Sequence, residues 1–145
     1  MMKRTSKAVW RGNGMEGQGS LTTQSGVFKD QPYSFKTRFQ SEDGRAGTNP
    51  EELIGAAHAG CFAMALSFAL TGDGHPPEEL SVSATVKMEK REAGWAIEQI
   101  ELELTGKVPG IDAAKFKELA EKAKAGCPVS RALASVPITL TANLA

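Results

Sequence analysis

One stretch of the chain contains no charged residue: Leu53-Ile-Gly-Ala-Ala-His-Ala-Gly-Cys-Phe-Ala-Met-Ala-Leu-Ser-Phe-Ala-Leu70. The residues before it suit the start of a helix, with Asn49 as the cap, Pro50 in the first helical position, and Glu51 and Glu52 near the positive end of the dipole. Because apolar residues surround this predicted helix instead of forming a stripe, we expect it to be buried on every side. Its 18 residues are borderline for a membrane span. Its glycines and its histidine make it a poor one, so we interpret it as a core helix and expect no membrane association.

A single layer of sheet can cover only one side of this helix in a chain of 145 residues. Several small residues would let another helix approach it closely: Gly55, Ala56, Ala59, Gly60 and Ala63. We therefore expect the second layer to come from another copy of the chain, which predicts an intimate homodimer. The alternative is a compact monomer in which the second helix covers the first.

Extended and helical patterns follow one another along the rest of the chain. Alternation of apolar and polar residues, with glycine-rich turns between segments, predicts strands over Thr5–Trp10, Ser20–Ser25, Tyr33–Phe39, Leu80–Met88, Trp95–Thr105 and Pro137–Leu144. An amphipathic helix is predicted from Ala113 to about Ala125, and a short third helix from Pro128 to Leu133. This order predicts an α+β fold with mostly antiparallel strands, and the chain length predicts a single domain over residues 1–145.

The charge balance argues against a nucleic-acid partner. Seventeen basic residues balance seventeen acidic ones, and no basic stripe is present. The charged start, Met1-Met-Lys-Arg-Thr-Ser-Lys7, leads into no apolar stretch, so we do not interpret it as a signal peptide. We expect a cytoplasmic protein, in which a disulfide would be transient or catalytic.

The two cysteines of the chain occupy unlike settings. Cys61 falls in the middle of the apolar helix, where burial raises a thiol pKa, so a reactive thiolate there would need a cation. Arg38 on the preceding strand is the best candidate, and the alternative is that it belongs to a solvated strand face. Cys127 stands at a helix start, where backbone N–H groups favour the thiolate. By this argument Cys127 would be the nucleophile, and the spacing of the residues leaves the question open.

Glu51 could hold Arg38 in place. Ten residues separate Glu51 from Cys61, which corresponds to roughly 15 Å along one helix. If both serve one site, we expect Glu51 to come from the partner chain of the dimer. The alternative is that Glu51 only interacts with the helix dipole.

Other chemistries are less well supported by the residue pattern. The two cysteines could be unrelated buried thiols, since free cysteine packs like a small hydrophobe. A zinc site built from His58, Cys61, Cys127 and His75 is conceivable, although no closely spaced pair of each ligand type is present. We expect Ser130 to lack the histidine and acidic partners of a hydrolase nucleophile, and we expect no bound cofactor or metal.

Two motifs carry a resemblance to a known family. The segment Gly47-Thr-Asn-Pro-Glu-Glu-Leu-Ile-Gly-Ala-Ala-His-Ala-Gly-Cys-Phe-Ala-Met-Ala-Leu66 resembles the signature of the OsmC/Ohr family, and Lys124-Ala-Gly-Cys-Pro-Val-Ser130 resembles its second motif. The family comprises osmotically inducible protein C and the organic hydroperoxide resistance proteins. Ser25-Gly-Val-Phe28 and Gln31-Pro-Tyr-Ser-Phe-Lys-Thr-Arg-Phe39 are similar to the OsmC branch in particular.

The resemblance implies a thiol-dependent peroxidase for organic hydroperoxides, in an intertwined homodimer with the long helices at its centre. By the motifs, Cys61 matches the peroxidatic cysteine and Cys127 the resolving one, contrary to the dipole argument. Arg38 matches the arginine that activates the thiolate, and Glu51 matches its acidic partner. The resemblance also implies a dithiol reductant, for which lipoylated proteins are suggested in the family. A non-catalytic redox sensor or small-ligand module on the same fold is the alternative.

Overall fold

The computed structural model describes residues Met1–Ala145, which form six strands and four helices in two compact units. The first unit, Met1–Leu53, holds β1 (Ser6–Arg11), β2 (Gln18–Thr23), β3 (Gln31–Tyr33), α1 (Phe35–Phe39) and the first turn of α2 (Pro50–Gly72). The second unit, Ile54–Ala145, holds the rest of α2, β4 (Glu79–Arg91), β5 (Gly94–Lys107), α3 (Ala113–Gly126), α4 (Pro128–Ala132) and β6 (Ile138–Leu144). The predicted α+β class is confirmed, and the single domain over residues 1–145 stays a prediction.

The first unit is an antiparallel three-stranded sheet in the order β1-β2-β3. The rings of Trp10 and Tyr33 meet across this sheet with their centroids 5.5 Å apart. Gly19 lies beneath them on β2, where an added Cβ would come within 2.4 Å of the Tyr33 ring. Glycine is therefore needed at this position because the two rings occupy the space of a side chain.

The prediction of one strand over Tyr33–Phe39 is wrong beyond Tyr33, because α1 begins at Phe35. Ser34 and Thr37 form a capping box, in which the Ser34 side chain accepts from the Thr37 N–H and the Thr37 side chain accepts from the Ser34 N–H. The rings of Phe35 and Phe39, four residues apart, then pack with their centroids 5.0 Å apart. Arg38 consequently lies on a short helix and not on a strand.

The second unit contains a sheet in the order β4-β5-β6. β4 and β5 form an antiparallel hairpin, whereas β6 pairs with β5 in parallel. One face of the sheet is apolar and buried along β5, at Ile100, Leu102 and Leu104. Phe116 of α3 is fully buried in the same core and lies against Gly106 of β5, where an added Cβ would approach the Phe116 ring to 2.6 Å.

Helix α2 begins as predicted, at Pro50, with the Asn49 side chain accepting the Glu52 N–H at 2.8 Å. Its buried face joins the core of the second unit through Phe62, Leu66 and Leu70. By length and composition α2 is the one helix that could cross a membrane, but this face is packed on the protein core.

The opposite face of α2 is exposed. Met64 retains 66% and Phe68 retains 75% of its accessible surface. One chain therefore buries α2 on one side only, as expected for a single covering layer, and burial of the other side by a second copy stays a prediction.

Candidate active site

The fold places both cysteine sulfurs in one site of the second unit. Cys61 lies in the middle of α2, and Cys127 lies between α3 and α4, where it ends one helix and caps the next. Gly126 is the last residue of α3, and Pro128 occupies the first turn of α4, so the chain turns at Cys127. Both thiols are free, and their sulfur atoms are 3.0 Å apart. The hypothesis of two unrelated buried thiols is therefore wrong.

The two thiols differ in exposure. Cys127 has no accessible surface, whereas Cys61 is half-buried. Of the two cysteines, only Cys61 therefore keeps accessible surface, while Cys127 belongs to the core.

The pKa values of the two thiols are shifted in opposite directions. Burial raises the pKa of Cys61, and its hydrogen bond with Cys127 adds to the increase. Burial also acts against ionisation of Cys127, but hydrogen bonds from Cys61, Ser130 and Val129 outweigh it and lower the pKa of Cys127. Of the two thiols, Cys127 therefore ionises more readily than Cys61.

A buried histidine–serine pair lies beside the thiols. The His58 Nε2 and Ser130 Oγ atoms are 2.7 Å apart, and both residues are buried. The expectation that Ser130 lacks a histidine partner is thus wrong, because packing joins residues that are 72 positions apart. No acidic side chain orients the ring, since His58 Nδ1 has no hydrogen-bond partner. The pair therefore lacks the third member of a hydrolase triad.

One sequence pattern could have predicted the contact between His58 and Ser130. His58 precedes Cys61 by three residues, and Ser130 follows Cys127 by three. If the cysteines meet, side chains one helical turn away can meet as well.

Arg38 and Glu51 meet in the first unit. The Arg38 Nη2 atom donates to Glu51 Oε1 at 2.7 Å, and Arg38 Nε donates to the same oxygen at 3.1 Å. Two hydrogen bonds therefore join the charged groups of this ion pair. Glu51 is buried, whereas the Arg38 side chain keeps 37% of its accessible surface. The Arg38 guanidinium also lies 4.9 Å from the centroid of the Phe39 ring. The ion pair therefore holds an arginine in a fixed position while part of its side chain stays accessible.

A pocket of about 230 Å³ opens beside Arg38 in the same unit. Four aromatic side chains line it: Trp10, Tyr33, Phe35 and Phe39. Such a pocket can accept the apolar part of a small molecule next to a cation.

The four residues weighed as zinc ligands do not come together. The structure contains no group of three or more His, Cys, Asp or Glu side chains arranged to hold a metal ion. His75 instead contacts Asp73 at the end of α2, with Nδ1 and Oδ2 3.0 Å apart.

Comparison with known proteins agrees with this arrangement. Residues 41–141 match the family described as OsmC-like protein. The chain is 49% identical to peroxiredoxin OsmC of Escherichia coli over 141 residues, which is 97% of this chain and 96% of that protein. It is 36% identical to the organic hydroperoxide resistance protein of Xanthomonas axonopodis pv. citri over 100 residues, 68% of each chain.

Comparison with solved structures also supports this relationship. The crystal structure of the organic hydroperoxide resistance protein OhrB of Bacillus subtilis superimposes with a TM-score of 0.68 at 26% identity, covering 97% of this chain and 98% of that one. The paired cysteines, the α+β architecture and the sequence matches together show that the chain belongs to the OsmC family.

Proposed function

We propose that the protein is a thiol-dependent peroxidase that reduces organic hydroperoxides to alcohols. The observation that carries this proposal is the contact of two free thiols, one accessible and one buried, with their sulfurs 3.0 Å apart. The names of its relatives, a peroxiredoxin and organic hydroperoxide resistance proteins, support the same activity.

The chemistry begins at Cys61. Its thiolate attacks the terminal peroxide oxygen, the O–O bond breaks, and the alkoxide leaves and takes a proton to become the alcohol. Cys61 becomes a sulfenic acid. Cys127 then condenses with the sulfenic acid to form a disulfide and water. A dithiol, for which we propose a lipoylated protein in the cytoplasm, reduces the disulfide by thiol exchange.

Exposure supports Cys61 as the attacking thiol, whereas its raised pKa acts against it. Cys61 therefore needs a cation, and Arg38 can supply one because Glu51 orients its guanidinium. We propose Arg38 as the activating cation and Glu51 as the residue that positions it.

The Arg38–Glu51 pair that serves a given Cys61 would come from a partner chain. Ten residues of one continuous helix separate Glu51 from Cys61, which corresponds to about 15 Å. A homodimer would bring the pair of one chain to the thiols of the other. The exposed apolar face of α2, at Met64 and Phe68, is a surface that such a partner would bury.

We predict that Phe68→Lys weakens the dimer, because it would bury a charge in the interface. Sedimentation velocity across a concentration series should detect the shift toward monomer. Val27→Lys is the matched control, since Val27 is 78% exposed and lies on a turn of the first unit. A dimer of unchanged affinity in Phe68→Lys would contradict the use of this face.

The proposed function is tested by steady-state turnover with excess dithiothreitol. We expect many cycles of cumene hydroperoxide reduction per protein molecule, and a rate about tenfold or more above that with hydrogen peroxide. The preference would come from burial of the aryl group in an apolar site such as the one beside Arg38. A single stoichiometric oxidation without turnover would instead favour the alternative of a redox sensor.

A further inference from the structure

Two pairs of side chains join α2 to α4. The sulfurs of Cys61 and Cys127 form one contact, at 3.0 Å, and His58 Nε2 and Ser130 Oγ form the other, at 2.7 Å. His58 lies three residues before Cys61, and Ser130 lies three residues after Cys127, which in both cases is about one helical turn. The polar contact therefore lies directly beside the thiol contact and links the same two helices.

The polar contact is isolated from water. His58 has no accessible surface and Ser130 keeps 5%. Burial lowers the pKa of His58, so its ring is neutral and carries a hydrogen on one nitrogen only. Nδ1 has no partner, and a buried N–H without an acceptor is rarer in proteins than a buried acceptor without a donor. The hydrogen therefore belongs on Nε2, which donates to Ser130 Oγ.

This tautomer sets the direction of the next hydrogen bond. When Ser130 Oγ accepts from His58, its own O–H is free to donate to a neighbouring acceptor. The Ser130 backbone N–H donates to the same sulfur at 3.5 Å. A chain of donors thus runs from His58 through Ser130 to Cys127.

We propose that His58 and Ser130 are positioning residues for disulfide formation: their contact holds the Cys127 sulfur against Cys61, and the Ser130 N–H donates a hydrogen bond to that sulfur. This inference rests on the proposed function. In the step concerned, the Cys127 thiolate attacks the sulfur of the Cys61 sulfenic acid. The S–S bond forms, the S–O bond breaks, and hydroxide leaves and takes a proton to become water.

The role of the His58–Ser130 pair follows from two reactions that compete for the Cys61 sulfenic acid: attack by Cys127 and oxidation by a second peroxide. A second peroxide converts it to sulfinic acid, which a thiol cannot reduce. Fast attack by Cys127 prevents this loss. Without the polar contact α4 loses its histidine–serine link to α2, and the Ser130 N–H that donates to the Cys127 sulfur is held less firmly.

The test uses the full-length protein and cumene hydroperoxide. Rapid mixing follows peroxide consumption and disulfide formation separately, and mass spectrometry measures sulfinic Cys61 after excess peroxide. We expect Ser130→Ala to slow disulfide formation about tenfold and to raise the sulfinic fraction in proportion. Ser130→Thr, which keeps the hydroxyl, should restore most of the rate.

Substitutions of histidine give an independent series. His58→Leu removes the donor, whereas His58→Gln keeps an N–H group that can reach Ser130. We expect the rate of disulfide formation to fall in His58→Leu and to recover in His58→Gln. His75→Leu is the matched control, because His75 contacts Asp73 and neither thiol.

The outcomes separate the two proposals. Disulfide formation at the wild-type rate in both Ser130→Ala and His58→Leu would overturn the positioning role and leave the peroxidase function intact. A slowed rate that neither Ser130→Thr nor His58→Gln restores would also overturn it, because general loss of packing would then be the cause. A wild-type protein that consumes no peroxide would contradict the proposed function itself.

Discussion

Cys61→Ser is expected to abolish rapid consumption of cumene hydroperoxide, with a loss of several orders of magnitude in the first turnover. Serine at neutral pH offers no thiolate to attack the peroxide, and Cys127 has no accessible surface to replace it. The measurement is a single-turnover reaction of the reduced protein, followed by the amount of peroxide that remains. Cys127→Ser is the matched variant, since it removes the other sulfur of the same contact.

Cys127→Ser should consume one equivalent of peroxide and then stop at the sulfenic acid. A sulfenic-acid probe should label Cys61 in this variant and should label little of the wild type, in which the disulfide forms. The opposite result, with loss of consumption only in Cys127→Ser, would reverse the roles of the two thiols. It would mean that the lowered pKa of Cys127 decides the reaction and that exposure does not.

Arg38→Met is expected to slow peroxide attack about 100-fold at neutral pH, because an adjacent cation lowers an acidic pKa by about one to three units. Without the cation, burial and Cys127 leave the pKa of Cys61 raised. A thiol of raised pKa is mostly protonated at neutral pH and ionises as the pH increases. The rate of the variant should therefore continue to rise toward alkaline pH, where that of the wild type has levelled off.

Two further variants define the role of the ion pair. Lys36→Met is the control, since Lys36 is an exposed cation on the same short helix. Glu51→Gln keeps an oxygen that can accept from Arg38 but loses the charge, so we expect a smaller loss of rate than in Arg38→Met. An Arg38→Met protein that reacts at the wild-type rate, with the same pH profile, would show that another group activates Cys61.

Much of the fold could be predicted from local patterns. The uncharged stretch after Pro50 forms α2 with Asn49 as its cap, and the alternating segments form β4 and β5. The error at Tyr33–Phe39 is informative, because an alternating pattern over seven residues also places Phe35 and Phe39 on one face of a helix. The capping box at Ser34 and Thr37 resolves this ambiguity in favour of the helix.

The sequence by itself determined the secondary structure of most segments and the family motifs around both cysteines, because local propensity and residue spacing encode them. Only the tertiary structure decided which distant side chains meet. The contact of Cys61 with Cys127, the pairing of His58 with Ser130 and the exposed face of α2 all depend on how helices pack against a sheet. Such contacts join residues far apart in the chain, and no local pattern of residues records the distance between them.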